Sequence, residues 1–323
     1  MGFYLVGLDH QRADIALREE SYKKRKDIFF SLGVIFRETA LLSTCNRIEI
    51  YGAGKKVSAF PKIPQGWHFI SGNAEVFRHA LRLASGLESQ LRGETQILGQ
   101  LNAWISNLPA GLSAIWERAY SEALNIREQA GLNMDFNNVA SFLYKDIEKY
   151  VPENGNLKAI VVGTGKIAEL LAKDKPGNIE LFFVSRKNRG RALELAASSQ
   201  SNTISFEDLT QGLDSVDILI SATASPHYIL RKDQLNQIVL KREKPLYIYD
   251  LAVPRDIEPQ AKDINGIILK NLDDLTVYFE AHNKSMQEKL CLAGYLVEER
   301  VKIYEKSIET GEPAESVSLT SGR

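Results

Sequence analysis

The 323-residue chain has two cysteines in different company. Cys45 lies in Ser43-Thr44-Cys45-Asn46-Arg47-Ile48-Glu49, a polar turn between apolar stretches, whereas Cys291 sits in an apolar helical pattern and reads as a small packing thiol. A cation two residues away, Arg47, predicts for Cys45 a pKa below the free-thiol value of about 8.5, and so a thiolate able to attack a carbonyl. The two cysteines belong to no Cys-x-x-Cys, so neither a disulfide framework nor a cysteine-rich zinc site is expected. His10, His68, His227 and His282 show no metal-ligand spacing, and no metal is expected.

A second constellation is Gly163-Thr164-Gly165-Lys166-Ile167-Ala168, which follows a buried strand and opens a helix. In that context the hexad predicts a dinucleotide site. Gly163 permits the tight turn, Gly165 lets a pyrophosphate approach main-chain N–H groups, and Ala168 allows helix and strand to pack closely. The next strand ends in Ser185-Arg186-Lys187, where an NAD-selective site would carry an acid for the ribose hydroxyls. Two cations and a hydroxyl there favour NADP through its 2′-phosphate.

These residues need elements to place them. From the N-terminus to about residue 127, strands at Tyr4-Leu8 and Ile48-Tyr51, a helix over Ile15-Leu32 and helical periodicity from Glu75 predict a mixed α/β unit. After Pro152-Glu153-Asn154-Gly155, strand and helix alternate: Ile160-Val162, Lys166-Lys173, Leu181-Val184, Arg189-Ser198, Ile218-Ser221 and Tyr247-Leu251, the pattern of a parallel sheet covered on both faces. From Leu272 to Ile308, apolar residues every three or four positions predict one long amphipathic helix of about 50 Å, whose stripe needs another domain or a second chain. The expected domains are therefore 1–150, 151–270 and 271–323, the last ending in a frayed tail from Gly311.

Composition limits the function classes. With 44% hydrophobic and 25% charged residues, and 40 basic against 41 acidic side chains, the chain is that of an ordinary globular protein rather than a disordered or fibrous one. Near-zero net charge argues against strong non-specific nucleic-acid affinity, and Lys23-Lys24-Arg25-Lys26 reads as a solvated helix face. No apolar run is long enough to span a membrane and no signal peptide is legible, so a cytoplasmic location is expected.

The seven residues around Cys45 closely resemble the active-cysteine signature of the glutamyl-tRNA reductase family. Further motifs follow in that family's order. They are Gly7-Leu8-Asp9-His10; His79 with Ser85-Gly86-Leu87-Glu88-Ser89; Gly93-Glu94-Thr95-Gln96-Ile97-Leu98-Gly99-Gln100; Ser221-Ala222-Thr223-Ala224-Ser225-Pro226-His227; and Asp250-Leu251-Ala252-Val253-Pro254-Arg255-Asp256. The resemblance covers about residues 1 to 300. It implies an N-terminal catalytic domain, a Rossmann-type NADP-binding domain and a long C-terminal helix. The implied reaction is NADPH-dependent reduction of glutamyl-tRNA(Glu) to glutamate-1-semialdehyde through a thioester on Cys45, the entry to tetrapyrrole synthesis from glutamate.

The resemblance also assigns roles. His79, which by spacing alone would be a structural histidine, becomes the residue for proton transfer or carbonyl polarisation. Thr44, Asn46 and Arg47 map to the substrate strip, with Arg47 forked onto the substrate carboxylate. Ser89, Glu94, Thr95, Gln96 and Gln100 map to other pocket positions. His227 is placed either near the nicotinamide or in a solvent-facing loop. The family continues into a helical dimerisation region, whereas this chain stops soon after Ile308; a homodimer through the C-terminal helix is the expectation. Contact with glutamate-1-semialdehyde aminomutase is a further candidate partnership. Asp9, Arg92 and Ala168 depart from the family's pattern without removing a catalytic group. Two rival readings are a non-catalytic regulatory relative binding nucleotide or tRNA, and a small-substrate NADP dehydrogenase akin to shikimate dehydrogenase, which leaves Cys45 without a purpose.

Overall fold

The computed structural model describes residues 2–55, 63–133, 138–150 and 156–311. The break expected at Pro152-Gly155 and all of the tail after Gly311 fall outside them. The chain divides into two compact units, Met1–Phe136 with Glu280–Arg323, and Asn137–Phe279.

In the first unit, β1 (Gly2–Asp9), β2 (Glu38–Ser43), β3 (Arg47–Gly54) and β4 (His68–Ser71) form an antiparallel sheet in the order β2-β3-β1-β4. Every residue of β3 is buried, as befits a central strand covered on both faces. On one face lies α1 (Ile15–Gly33), started by Asp14, whose carboxylate accepts the Leu17 N–H at 2.9 Å. Ile48, Ile50 and Leu8 pack there with Leu32 and Phe36. On the other face lie α2 (Asn73–Ala84), α3 (Gln96–Ile105) and α4 (Ala110–Gln129), gathered around Tyr51, Phe77, Leu81 and Trp116. β3 alternates between these two cores because successive strand residues point to opposite faces.

The second unit begins with α5 (Val139–Ile147). Its sheet contains β5 (Leu157–Val162), β6 (Ile179–Val184), β7 (Asn202–Thr203), β8 (Ile218–Ser221), β9 (Leu246–Asp250) and β10 (Ile267–Asn271), all parallel, in the order β10-β9-β8-β5-β6-β7. Helices α6 (Lys166–Lys173), α7 (Arg189–Ser198), α8 (Leu209–Gly212) and α9 (Lys232–Val239) alternate with the strands. Counted from β5, this is the 3-2-1-4-5-6 order of a Rossmann fold, with its switch point between β5 and β8. The expected α/β class with a Rossmann-type unit is what the chain adopts.

The C-terminal region differs from expectation in two ways. It is α10 (Thr276–Ser285) followed by α11 (Gln287–Thr310) rather than one helix. At the break, the His282 carbonyl accepts both the Ser285 hydroxyl at 2.7 Å and the Met286 N–H at 3.0 Å. The apolar stripe also needs no second chain: Leu290, Ala293, Val297, Val301 and Tyr304 are buried in the first unit's core, with Tyr304 stacked on Phe77 at 4.1 Å between ring centroids. Arg78 of α2 ties the polar edge of this contact, its Nε 3.0 Å from Glu298. The stripe therefore offers no argument for pairing subunits. The compact units also separate at residues 136/137 and 279/280 instead of 150 and 270, because α5 packs on α6 and α11 completes the first core.

Candidate active site

Thr44, Cys45 and Asn46 form the turn between β2 and β3. Its backbone is tied from several sides. The Thr44 N–H donates to the Arg47 carbonyl at 2.9 Å, the Asn46 N–H to Thr44 Oγ1 at 3.2 Å, and the His10 N–H to the Asn46 carbonyl at 2.9 Å. Arg18, buried on α1, donates from Nη1 to the Cys45 carbonyl at 2.9 Å. Cys45 keeps part of its surface exposed, so the sulfur is enclosed without being sealed off. Burial, and next the Glu94 carboxylate, push its thiol up to about 11, against the opposing pull of Arg18 and Arg47. The lowered pKa expected from Arg47 is thus overturned: desolvation outweighs two nearby cations, and the resting sulfur carries its proton.

Arg47 is also placed differently from expectation. Its guanidinium is 2% exposed, 2.7 Å from Glu49 Oε1 and bonded to the Glu88 carbonyl. It is committed to a buried ion pair rather than presented as a free fork. Glu49 in turn accepts the Tyr51 hydroxyl at 2.6 Å and contacts His79 Nε2 at 3.0 Å. Residues 47, 49 and 51 share one face of β3, and α2 brings His79 to the same face. Although burial opposes ionisation, Arg47 and His79 hold the Glu49 carboxyl far below the usual carboxylate range. In a neutral His79 this contact places the proton on Nε2 and leaves Nδ1 as the acceptor. Gly7 on β1 makes room for the cluster, since a Cβ there would lie 2.9 Å from Glu49 Cγ and 3.3 Å from His68 Cε1.

The Ser85–Glu94 loop between α2 and α3 supplies two of the expected pocket residues. Ser89 is buried and its hydroxyl bonds to Glu94. Burial pushes the Glu94 carboxyl up to about 7, while that bond and the charges of Arg47 and Arg127 pull it down. Thr95 and Gln100 are exposed at the start of α3, and Gln96 is half-buried. Glu94 and Ser89 thus join the Cys45 surroundings; Thr95 and Gln100 lie on the solvent side.

In the second unit the glycine hexad connects β5 to α6 as expected. Gly163 has φ +114°, and a Cβ on it would lie 2.5 Å from the Ala222 carbonyl oxygen, so any side chain is excluded twice over. Gly165 caps α6 and has nothing within 4 Å of its Cβ position, leaving open space before the helix N-terminus. Ala168 is fully buried; Thr164 and Ile167 are half-buried, and Lys166 is exposed and paired with Glu169. This cradle fits a pyrophosphate. Past β6, Arg186 and Lys187 are exposed, and the Ser185 hydroxyl accepts the Asn188 N–H at 3.1 Å. The Ser221–His227 and Asp250–Asp256 motifs meet beyond β8 and β9: Asp256 accepts from the Ser221 hydroxyl at 2.7 Å and the Thr223 hydroxyl at 2.6 Å, and Asp250 accepts the Ile257 N–H at 2.9 Å. His227 is solvent-exposed.

Residues 6–130 match the family profile described as Glutamyl-tRNAGlu reductase, N-terminal domain, and residues 146–278 match Shikimate / quinate 5-dehydrogenase. The chain is 31% identical to the glutamyl-tRNA reductase of Alcanivorax borkumensis, across 93% of this chain and 78% of the relative. It belongs to the glutamyl-tRNA reductase family. The glutamyl-tRNA reductase of Halorhodospira halophila is also 31% identical, across 94% of this chain and 74% of its own. The solved glutamyl-tRNA reductase of Methanopyrus kandleri is 26% identical, covering 95% of this chain and 80% of that one with a TM-score of 0.48.

In this member of the glutamyl-tRNA reductase family, the sequence reading missed Arg18, Glu49 and Arg127 as site-building residues. Glu49 had a signal, the alternation Arg47, Glu49, Tyr51 on one strand. Arg18 and Arg127 had none, for the contacts that tie them to the site go to the Cys45, Ser85, Gly93 and Glu94 carbonyls, far away in sequence. Cys291, expected to be buried, is exposed. Among the described residues, no helix is long and apolar enough to cross a membrane.

Proposed function

We propose that the protein reduces the glutamyl ester of charged glutamyl-tRNA to glutamate-1-semialdehyde with NADPH as reductant. The reading is carried by a partly exposed thiol in the β2–β3 turn, faced by Glu94, in a chain of this family. The Cys45 sulfur forms a bond to the ester carbonyl, the bond to the tRNA ribose oxygen breaks, and that oxygen leaves with a proton. Because the thiol starts protonated, a base must take its proton. Glu94, pushed up to about 7, is matched to that task near neutrality. His79, fixed by Glu49 through Nε2, offers Nδ1 as an acceptor and, once Nδ1 has taken a proton, can polarise the carbonyl or pass that proton to the leaving oxygen.

NADPH, when bound, would supply hydride to the thioester carbon; the carbon–sulfur bond then breaks, releasing the aldehyde and leaving Cys45 as a thiolate to be reprotonated. Residues of the 163–168 turn hold the pyrophosphate on backbone N–H groups, and exposed Arg186 and Lys187, with Ser185, would neutralise a 2′-phosphate. A purely regulatory relative has no need for a proton acceptor beside a thiol. Incubation of the protein with charged glutamyl-tRNA alone should release tRNA and leave a glutamyl mass on Cys45; adding NADPH should yield the semialdehyde. A Cys45→Ser variant with full reductase activity would end the proposal. Self-association and handover of the reactive aldehyde to an aminomutase are further proposals, tested by sedimentation of the protein alone and with that enzyme.

A further inference from the structure

Arg127, on the last turn of α4, is fully buried. Its donors reach carbonyls and one amide. Nη1 reaches the Ser85 carbonyl at 3.0 Å and the Glu94 carbonyl at 3.1 Å. Nη2 reaches Gly93 at 2.8 Å and Leu132 at 3.1 Å, and Nε reaches Asn133 Oδ1 at 3.3 Å. Three of these acceptors are the two ends of one loop, Ser85 to Glu94. A guanidinium is suited to this, since its donors form a rigid planar fork that cannot lose its proton. Burial lowers Arg127 only to about 10, so it remains charged at neutral pH.

The loop is shaped around that fork. Gly86 and Gly93 have φ +80° and +83°, and the Gly93 N–H donates to the Gly86 carbonyl at 2.9 Å, closing the loop at its neck. A Cβ on Gly86 would lie 2.8 Å from Arg127 Nη1 and 3.2 Å from the Glu94 carbonyl, so a side chain there would displace the clamp. The clamped loop carries Ser89 and Glu88, whose carbonyl receives Arg47, and ends in Glu94 itself.

We propose that Arg127 is a positioning residue for the nucleophile: by gripping both ends of the Ser85–Glu94 loop, it holds the Glu94 carboxylate and the Ser89 hydroxyl in place beside Cys45. This deepens the reductase reading, and rests on it for the role of Glu94. The groups acting on the sulfur are Glu94 from the loop, Arg18 from α1 and Arg47 from β3. Loosening the loop withdraws the one negative group and leaves two positive ones, so the thiol ionises more easily while the proton acceptor is lost.

The test uses the full chain carrying Cys291→Ser, so that alkylation reads Cys45 alone. In Arg127→Lys, which keeps the charge and loses the fork, the iodoacetamide rate at about pH 9 should rise several-fold. Amide exchange of residues 86–94 should quicken while β3 and α4 stay protected. With charged glutamyl-tRNA and NADPH, kcat should fall about 10- to 100-fold, with KM changing less. Wild-type alkylation and wild-type loop exchange in a folded Arg127→Lys would overturn the proposal. Should that variant not fold, Asn133→Ala removes only the Nε partner; it should shift alkylation and exchange in the same directions by less, and wild-type behaviour in both would reduce Arg127 to a stabilising residue. Alkylation and exchange need neither tRNA nor nucleotide, so they report on the clamp even where the reductase reading fails.

Discussion

At Thr44-Cys45-Asn46 the backbone is fixed by the Arg18 side chain from α1, by main-chain groups of His10 and Arg47 and by the turn's own Thr44 hydroxyl, and the Arg47–Glu49 ion pair behind it is buried. At Gly163-Thr164-Gly165 it is fixed by the parallel sheet, and what matters is that side chains are missing. The first turn depends on charge balance inside a low-dielectric interior, where each partner is needed by another. The second depends on shape. The two candidate sites can therefore fail for unrelated reasons, and substitutions can separate them.

The largest separation should come from Glu49→Gln. It leaves Arg47 buried without its counter-charge, and should cost about 3–5 kcal/mol of stability in a urea titration. A loss below about 1 kcal/mol would mean the pair is effectively solvated, and the contrast between the two turns would collapse. Gly163→Ala should cost about 1–3 kcal/mol through its positive φ and the Ala222 carbonyl, and should abolish NADPH binding by calorimetry. Formation of the Cys45 adduct without nucleotide should continue in that variant; its disappearance would show that the two turns are not independent. Arg186→Glu should raise the KM for NADPH about tenfold and leave that for NADH unchanged, in line with loss of one charge-assisted bond. Equal effects on both would remove the 2′-phosphate assignment.

A separate effect, spread over pH, lies in linkage at Glu94. Its folded-state pKa is raised from 4.5 to about 7, chiefly by burial, so the protonated form favours the fold. That contribution is complete below 4.5 and is lost as pH rises through about 7. Glu94→Gln should flatten this part of the stability-against-pH curve. An unchanged slope between those limits would place the carboxyl in water.

Six elements of the parallel-sheet unit were legible, several to the residue, whereas α5, β7, α8, α9 and β10 were not. Lys166-Lys173, Arg189-Ser198 and Ile218-Ser221 coincide with α6, α7 and β8, since continuous apolar runs and short connections leave little choice there. β2 and β4 were not separately readable, because short strands with half-exposed positions carry a weak alternation. The break at Met286 has no proline or glycine to announce it. Cys45 was found through its polar company, and Glu94 and Ser89 through the resemblance, but the direction of the thiol's shift was misread: sequence shows Arg47 two residues away and cannot show that Glu49 already holds it or that the sulfur is desolvated. Arg127 illustrates the general limit. Its contacts with the Ser85–Glu94 loop go to backbone carbonyls that any residue type supplies, so no side-chain pattern marks them.

The chain leaves its first unit at residue 136 and returns to it at residue 280. Val297, Val301 and Tyr304 are fully or almost fully enclosed there, so the interior beneath Phe77 stays open on the ribosome until the final helix has emerged. The nucleotide-binding half, being continuous, can mature first. An interrupted translation product ending before Gln287 would thus contain an intact dinucleotide cradle beside an unfinished, sticky partner, and quality control should meet it as half a protein.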